Sequence, residues 1–178
     1  FNVNCQDDRV YTERLIRSEV TITPHLLSGA AIASAATTSL PVAFLIGLIL
    51  HFVLDALPHT DPGTFFWPGE RQKQETEPWP TWIYIFAATE FIIVWLLVII
   101  LFKNRQDFGV IMAGGLGGIF IDIVDNNPLR FIHRLPVFKQ IHFLHEKVHY
   151  DLPANKWYWG LLMQLIIITG SLWYLLKF

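Results

Sequence analysis

Charged side chains are scarce in this sequence. Asp, Glu, Lys and Arg make up 16% of its 178 residues, whereas soluble domains average about 25%. The formal net charge is −2, so the composition gives no sign of a basic surface, and we expect no nucleic-acid partner. The chain has one cysteine, Cys5, which excludes an internal disulfide and any zinc site built from several cysteines.

Apolar residues are correspondingly abundant: they make up 53% of the chain, which includes seven Trp and fourteen Phe. Four apolar stretches approach or reach the roughly 20 residues that cross a bilayer. A fifth stretch, rich in Ala and Ser, suits close packing between helices. We therefore predict an all-α, polytopic membrane bundle with four to five transmembrane helices, over 25–37, 40–57, 81–102, 108–125 and 157–177.

Domain organisation and orientation follow from the polar segments. Residues 1–20 are polar, and we expect a lead-in that is either amphipathic or an addition to the native protein; residues 21–178 form one membrane domain. With five crossings, ten of the thirteen Lys and Arg residues fall on one side, which the positive-inside rule makes cytoplasmic. The N-terminus, the loops 58–80 and 127–156, and all seven histidines then lie on that side.

The stretch "HFVLDALPHTD" carries ionisable groups at the end of an apolar helix. His51 and Asp55 are four residues apart, so they project from one helix face and can share a metal ion. The alternative is a hydrogen-bonded pair that ends the helix. Pro58 breaks the helix, and His59 either folds back as a further ligand or lies in a solvated loop.

The stretch "IHFLHEKVH" predicts an interfacial histidine-rich helix. His142, His145 and His149 lie on one helical stripe with Glu146, and the residues between them are apolar. We expect these histidines to bind metal and Glu146 to accept a proton. The string "HEKVH" also has the H-E-x-x-H spacing of zinc proteases, which keeps a membrane metalloprotease as an alternative.

Further candidate ligands lie at the ends of other apolar segments. Asp122 and Asp125 are three residues apart at the end of the Gly-rich "GGLGGIFIDIVD", and His25 follows Pro24. We expect Asp125 to share the proton-accepting role. The complete set predicted to hold one or two Zn²⁺ or other divalent ions is His25, His51, Asp55, His59, Asp122, His142, His145 and His149.

Three of these segments resemble a known family. "TPHLLSGAAIAS", "GLILHFVLDALPHTDPGTFFWP" and "GGLGGIFIDIVDN" are similar to small membrane-bound metal-dependent hydrolases, which include the LexA-binding inner-membrane hydrolases. The resemblance covers residues 23–150 and implies a prokaryotic cytoplasmic membrane location. Through the family's likeness to zinc-dependent phospholipase C, it also implies attack of metal-bound water on a phosphodiester or related ester. The ligands it implies are His25, His51, Asp55, Asp122, His145 and His149.

The sequence departs from the family pattern in two places. "FIDIVDNNP" lacks the Pro-Asp and the terminal His of the family's acidic turn, and "HFLHEKVH" replaces its Arg-Gly-x-x-His-Ser. We expect a hydrolase acting on a lipid or lipid-linked ester at the cytoplasmic face, with membrane lipids as partners. The alternative from another class is a non-catalytic subunit of a larger membrane complex or homo-oligomer, whose histidines hold a structural ion, haem or another pigment.

Overall fold

The computed structural model describes residues 21–60, 81–125, 135–150, 152 and 154–178, without the side chains of Ile83, Asp125, Glu146 and Ala154. The predicted lead-in and most loop residues that decide the orientation lie outside these ranges. Within them the fold is all-α, as predicted. The six helices are α1 (Ile22–Ala36), α2 (Leu40–Asp55), α3 (Thr81–Phe102), α4 (Phe108–Asp125), α5 (Pro136–Val148) and α6 (Trp157–Lys177).

Proline marks the starts of three helices. Pro24 lies in the first turn of α1, Pro41 is the second residue of α2, and Pro136 is the first residue of α5. The first turn is where the missing N–H of proline removes no helical hydrogen bond. A short 3₁₀ turn, Ala154–Lys156, leads into α6.

Glycines bring three helices into backbone contact. A Cβ atom on Gly29 of α1 would lie 2.5 Å from the carbonyl oxygen of Gly114 in α4, and one on Gly47 of α2 would collide with the same oxygen. Further along α4, a Cβ on Gly118 would collide with the carbonyl oxygen of His25. The contacts of Gly29 with Gly114 and of His25 with Gly118 make α1 antiparallel to α4. The contacts of Leu40 with Gly109 and of His51 with Gly118 make α2 parallel to α4, so the start of α1 meets the ends of α2 and α4.

Helix α1 is the centre of the bundle. Nine of its fifteen residues are buried, and it packs against α2, α3, α4 and α6. The larger hydrophobic cluster joins α1 to α3, α4 and α6 through Leu26, Leu27, Ala30, Ala31, Val94, Val98, Phe102, Ile111, Ile119 and Leu175. α5 contacts α2 and α4, where the backbone N–H of Tyr150 donates to the carbonyl of Asp55 at 2.7 Å.

Two of the described helices are long and apolar enough to cross a membrane, over Tyr84–Phe102 and Trp157–Lys177. Helices α1, α2 and α4 are apolar but shorter. All five apolar stretches are therefore helical, whereas the four to five crossings stay a prediction. α3 and α6 expose most of their surface: only 17% and 22% of residues in these spans are buried.

Candidate metal centre

The centre is built on the last turn and a half of α2. His51 and Asp55 are both completely buried, and His51 Nε2 lies 3.1 Å from Asp55 Oδ2. The other ring nitrogen of His51, Nδ1, fixes the orientation of the ring, because it lies 2.8 Å from the carbonyl oxygen of Gly118. A carbonyl can only accept, so Nδ1 carries the proton and the Nε2 lone pair faces the carboxylate. The prediction that this pair shares one helix face is confirmed.

Two further histidines approach Asp55 from other helices. His25, in the first turn of α1, places Nε2 at 3.4 Å from Asp55 Oδ1. His145, in the last turn of α5, places Nε2 at 3.1 Å from Asp55 Oδ2. Both imidazoles are buried. One carboxylate therefore receives three imidazoles from three helices, although the outer two are separated by 120 positions in the sequence.

Asp122 of α4 completes the cluster. Its Oδ1 lies 3.6 Å from His51 Nε2, and its side chain is buried. Two triads have ligand atoms close enough together to hold a metal ion: His25–His51–Asp55 and His51–Asp122–His145. Since His51 Nδ1 already donates to Gly118, the ring has one lone pair to offer, and the two triads belong to one centre.

The separations in this centre match those of ligands around a small cation. Ligand atoms 2.0–2.2 Å from a tetrahedral ion lie about 3.3–3.6 Å apart, and in an octahedron about 2.8–3.1 Å. The four imidazole–carboxylate distances run from 3.1 to 3.6 Å. Among the described residues, the groups that face the Asp55 oxygens are these imidazole nitrogens, and no backbone N–H or hydroxyl reaches them. A buried carboxylate needs a cation, and a divalent metal held between these nitrogens and oxygens would supply it.

A second histidine pair lies beside the centre. His59 Nε2 and His149 Nε2 are 3.0 Å apart, and His59 Nδ1 lies 2.8 Å from the carbonyl oxygen of Leu57. The ring of His149 is 5.8 Å from that of His145, measured between centroids. His59 is thus folded back toward the bundle, not held in a solvated loop.

His149 lies just past the end of α5. The helix ends at Val148, and His149 is its C-cap, with φ −59° and ψ 123°, while its N–H still donates to the carbonyl of His145 at 3.0 Å. His145 and His149 contact different partners, Asp55 and His59. His142 is buried on α5 but does not belong to either triad of described residues. The side chains of Glu146 and Asp125, predicted as proton acceptors, lie outside the described residues.

Sequence reasoning missed the group that orients His51, the carbonyl of Gly118, because any residue carries a carbonyl. Two polar side chains inside apolar helices are visible in the sequence, but their partners are not. Glu90 of α3 accepts hydrogen bonds from Thr23, and Gln164 of α6 donates to the carbonyl of Thr60 at 3.0 Å.

Comparison with known proteins adds no assignment: no family model matches the chain, and neither a curated protein nor a solved structure matches it.

Proposed function

We propose that this protein is an integral-membrane, metal-dependent hydrolase that acts on a lipid or lipid-linked ester. The observation that carries the proposal is the convergence of three imidazoles and two carboxylates from four helices on one buried point. The donors His25, His51, Asp55, Asp122 and His145 offer three nitrogens and two oxygens, a set that zinc accepts. Two carboxylates would balance the charge of one divalent ion.

Exposed apolar surface supports the membrane setting. α3 and α6 present large apolar side chains outward, and α2 does so through Leu45, Ile49 and Val53. Patches of this extent on a monomer indicate a membrane or protein partner. We propose the bilayer, with these helices in contact with lipid and the metal centre at the cytoplasmic face.

The exposed apolar surface of α5 supports the proposal that the substrate is a lipid. The helix exposes Val137, Phe143 and Leu144, while His142 and His145 are buried on its other side. An amphipathic helix of this kind suits the membrane interface. A lipid headgroup could then approach the centre beside α5 while its acyl chains stay in the bilayer.

Side chains of this protein would hold and orient the metal ion that hydrolysis requires. A bound divalent ion would lower the pKa of water toward about 7 and polarise an ester or phosphoryl oxygen. His25, His51 and His145 would hold the ion through Nε2, with Asp55 and Asp122 supplying its oxygen ligands. Gly118 fixes the tautomer of His51, as outer ligands of metal sites commonly do. Glu146 and Asp125 remain our candidates for accepting the proton.

His59 and His149 would hold a second ion. Their Nε2 atoms are 3.0 Å apart, within the range expected of adjacent ligands. The proposal accordingly includes one or two ions.

One observation favours a second candidate function. All five ligands of the main centre are buried, and closed sites are typical of structural metals, whereas catalytic sites keep a position open. A non-catalytic membrane subunit with a structural ion would have this geometry. This geometry does not favour the protease alternative, because His145 contacts Asp55 whereas His149 contacts His59.

Hydrolysis by the purified protein separates these functions. The protein in detergent micelles is loaded with Zn²⁺, then assayed with bis(p-nitrophenyl) phosphate and with phospholipids in mixed micelles. We expect cleavage that a chelator stops and Zn²⁺ restores. His145→Ala should lose metal and activity, while His142→Ala, a buried histidine of the same helix, should keep both.

Two results would contradict the proposal in different ways. Bound metal with no cleavage of either ester class would favour the structural ion. Equal metal loss from His145→Ala and His142→Ala would contradict the assignment of the centre itself.

A further inference from the structure

The two helices of membrane length each send one polar side chain to the same turn. Glu90 is the only carboxyl group of α3, and Gln164 is the only carboxamide of α6. Glu90 Oε1 accepts from the backbone N–H of Thr23 at 3.0 Å and from its hydroxyl at 2.6 Å. Gln164 Nε2 donates to the hydroxyl of Thr21. Both contacts lie at the start of α1, which carries His25.

Among the described residues, no N-cap side chain caps this turn: Thr21 occupies the N-cap position of α1 but makes no side-chain capping hydrogen bond. The N–H groups of a first turn have no partner within the helix, and in apolar surroundings an unsatisfied N–H group is destabilising. Glu90 satisfies the N–H of Thr23 from a neighbouring helix, so α3 does for α1 what a capping residue ordinarily does.

Gln164 connects the same turn to the segment that follows α2. It is buried, and besides Thr21 it donates to the carbonyl of Thr60 at 3.0 Å. Thr60 in turn donates its hydroxyl to the carbonyl of Trp157 at 2.6 Å. A Cβ on Gly160 would overlap the backbone of His59 and Thr60, so α6 lies directly against this segment.

We infer that Glu90 and Gln164 are positioning residues that fix the first turn of α1 and so set the approach of His25 to Asp55. The inference rests on the proposed metal centre. His25 is the fourth residue of α1, two positions after Thr23, and its Nε2 is 3.4 Å from Asp55 Oδ1. Movement of this first turn of α1 would change the distance between His25 Nε2 and Asp55 Oδ1. Neither polar residue touches the five ligands through a described hydrogen bond, so their effect passes through His25.

Metal affinity, measured by competition between the detergent-purified protein and a chromophoric Zn²⁺ chelator, tests the inference. Glu90→Leu should weaken Zn²⁺ binding, by less than the about 10–100-fold expected when a direct hydrogen-bond partner of a ligand is lost, because Glu90 bonds Thr23 and not a ligand. Glu90→Gln keeps an acceptor oxygen and should bind close to the wild-type affinity. Thr89→Val is the matched control, because Thr89 is the adjacent residue and its hydroxyl bonds within α3, to Ile85.

A double-mutant cycle separates positioning from general damage. In a His25→Ala background, Glu90→Leu should cause no further loss of affinity, because its effect is transmitted through His25. Independent losses that multiply would overturn the inference, as would wild-type affinity in Glu90→Leu. If Glu90→Leu does not fold, Thr23→Val should weaken binding and Thr23→Ser should restore it; equal affinities would overturn the inference. A wild-type protein that binds no Zn²⁺ would instead overturn the proposed metal centre.

Discussion

The close approach of α1 and α4 can be tested by adding one methyl group. In Gly29→Ala, the new Cβ would lie 2.5 Å from the carbonyl oxygen of Gly114 and 3.2 Å from its carbon. These atoms belong to the α4 backbone, so no flexible side chain can yield. Restoring a contact of about 3.5 Å requires the helices to separate by about 1 Å.

The separation would act on the metal centre. Gly29 is four residues from His25 on α1, so movement of α1 away from α4 draws His25 from its ligand position. Metal–ligand distances tolerate about ±0.2 Å, one fifth of this displacement. We expect Gly29→Ala to lower Zn²⁺ affinity at least about 10-fold and to destabilise the fold by about 1–3 kcal/mol through overpacking.

Two matched variants control for the substitution itself. Gly109→Ala, in α4, meets only the end of the Leu40 side chain, at 3.2 Å, and Gly170→Ala meets nothing within 4 Å. Both should keep wild-type Zn²⁺ affinity, and neither should lower thermal stability, because Ala is more favourable than Gly inside a helix. Chelator competition and thermal unfolding in detergent measure the two quantities. Wild-type affinity in Gly29→Ala would refute the claim that backbone contact of these helices sets the ligand geometry.

Three other predictions concern the ion, the protons and the membrane. Removing the metal with a chelator should lower the thermal unfolding temperature, and adding Zn²⁺ to 100 times its Kd should restore about 2.7 kcal/mol; an unchanged temperature would argue against binding to the folded state. Zn²⁺ affinity should fall as the pH falls, because protons compete for the imidazoles and carboxylates, and a flat profile from pH 8 to 5 would contradict these ligands. In a Cys5→Ser background in intact cells, a membrane-impermeant maleimide should label Asn104→Cys but not Tyr150→Cys; the reverse pattern would invert the proposed orientation.

Local contacts could be predicted from the sequence. His51 and Asp55 are four residues apart, and helical geometry alone makes such residues neighbours. The apolar stretches predicted helices because apolar segments of this length form helices when they are buried or cross a membrane. The end of α5 at Val148 was not predictable, since the next proline is Pro153.

Contacts between helices could be predicted only in part. Nothing in a single sequence says which faces of α1, α2 and α4 meet, although the glycines of α4 indicated close packing. The role of Gly118 as an acceptor depends on backbone geometry and leaves no mark on residue type. Glu90 is visible in the sequence as a carboxyl group inside an apolar stretch, yet its partner Thr23, 67 positions away, could be found only from the fold.

X-ray absorption spectroscopy at the zinc edge tests the metal centre most directly. In the Zn²⁺-loaded protein we predict nitrogen and oxygen ligands at about 2.0–2.2 Å, with the outer-shell scattering of several imidazoles. His51→Ala should lose the bound ion or part of the imidazole signal. A spectrum without imidazole scattering, or one unchanged in His51→Ala, would contradict a centre built from His25, His51, Asp55, Asp122 and His145.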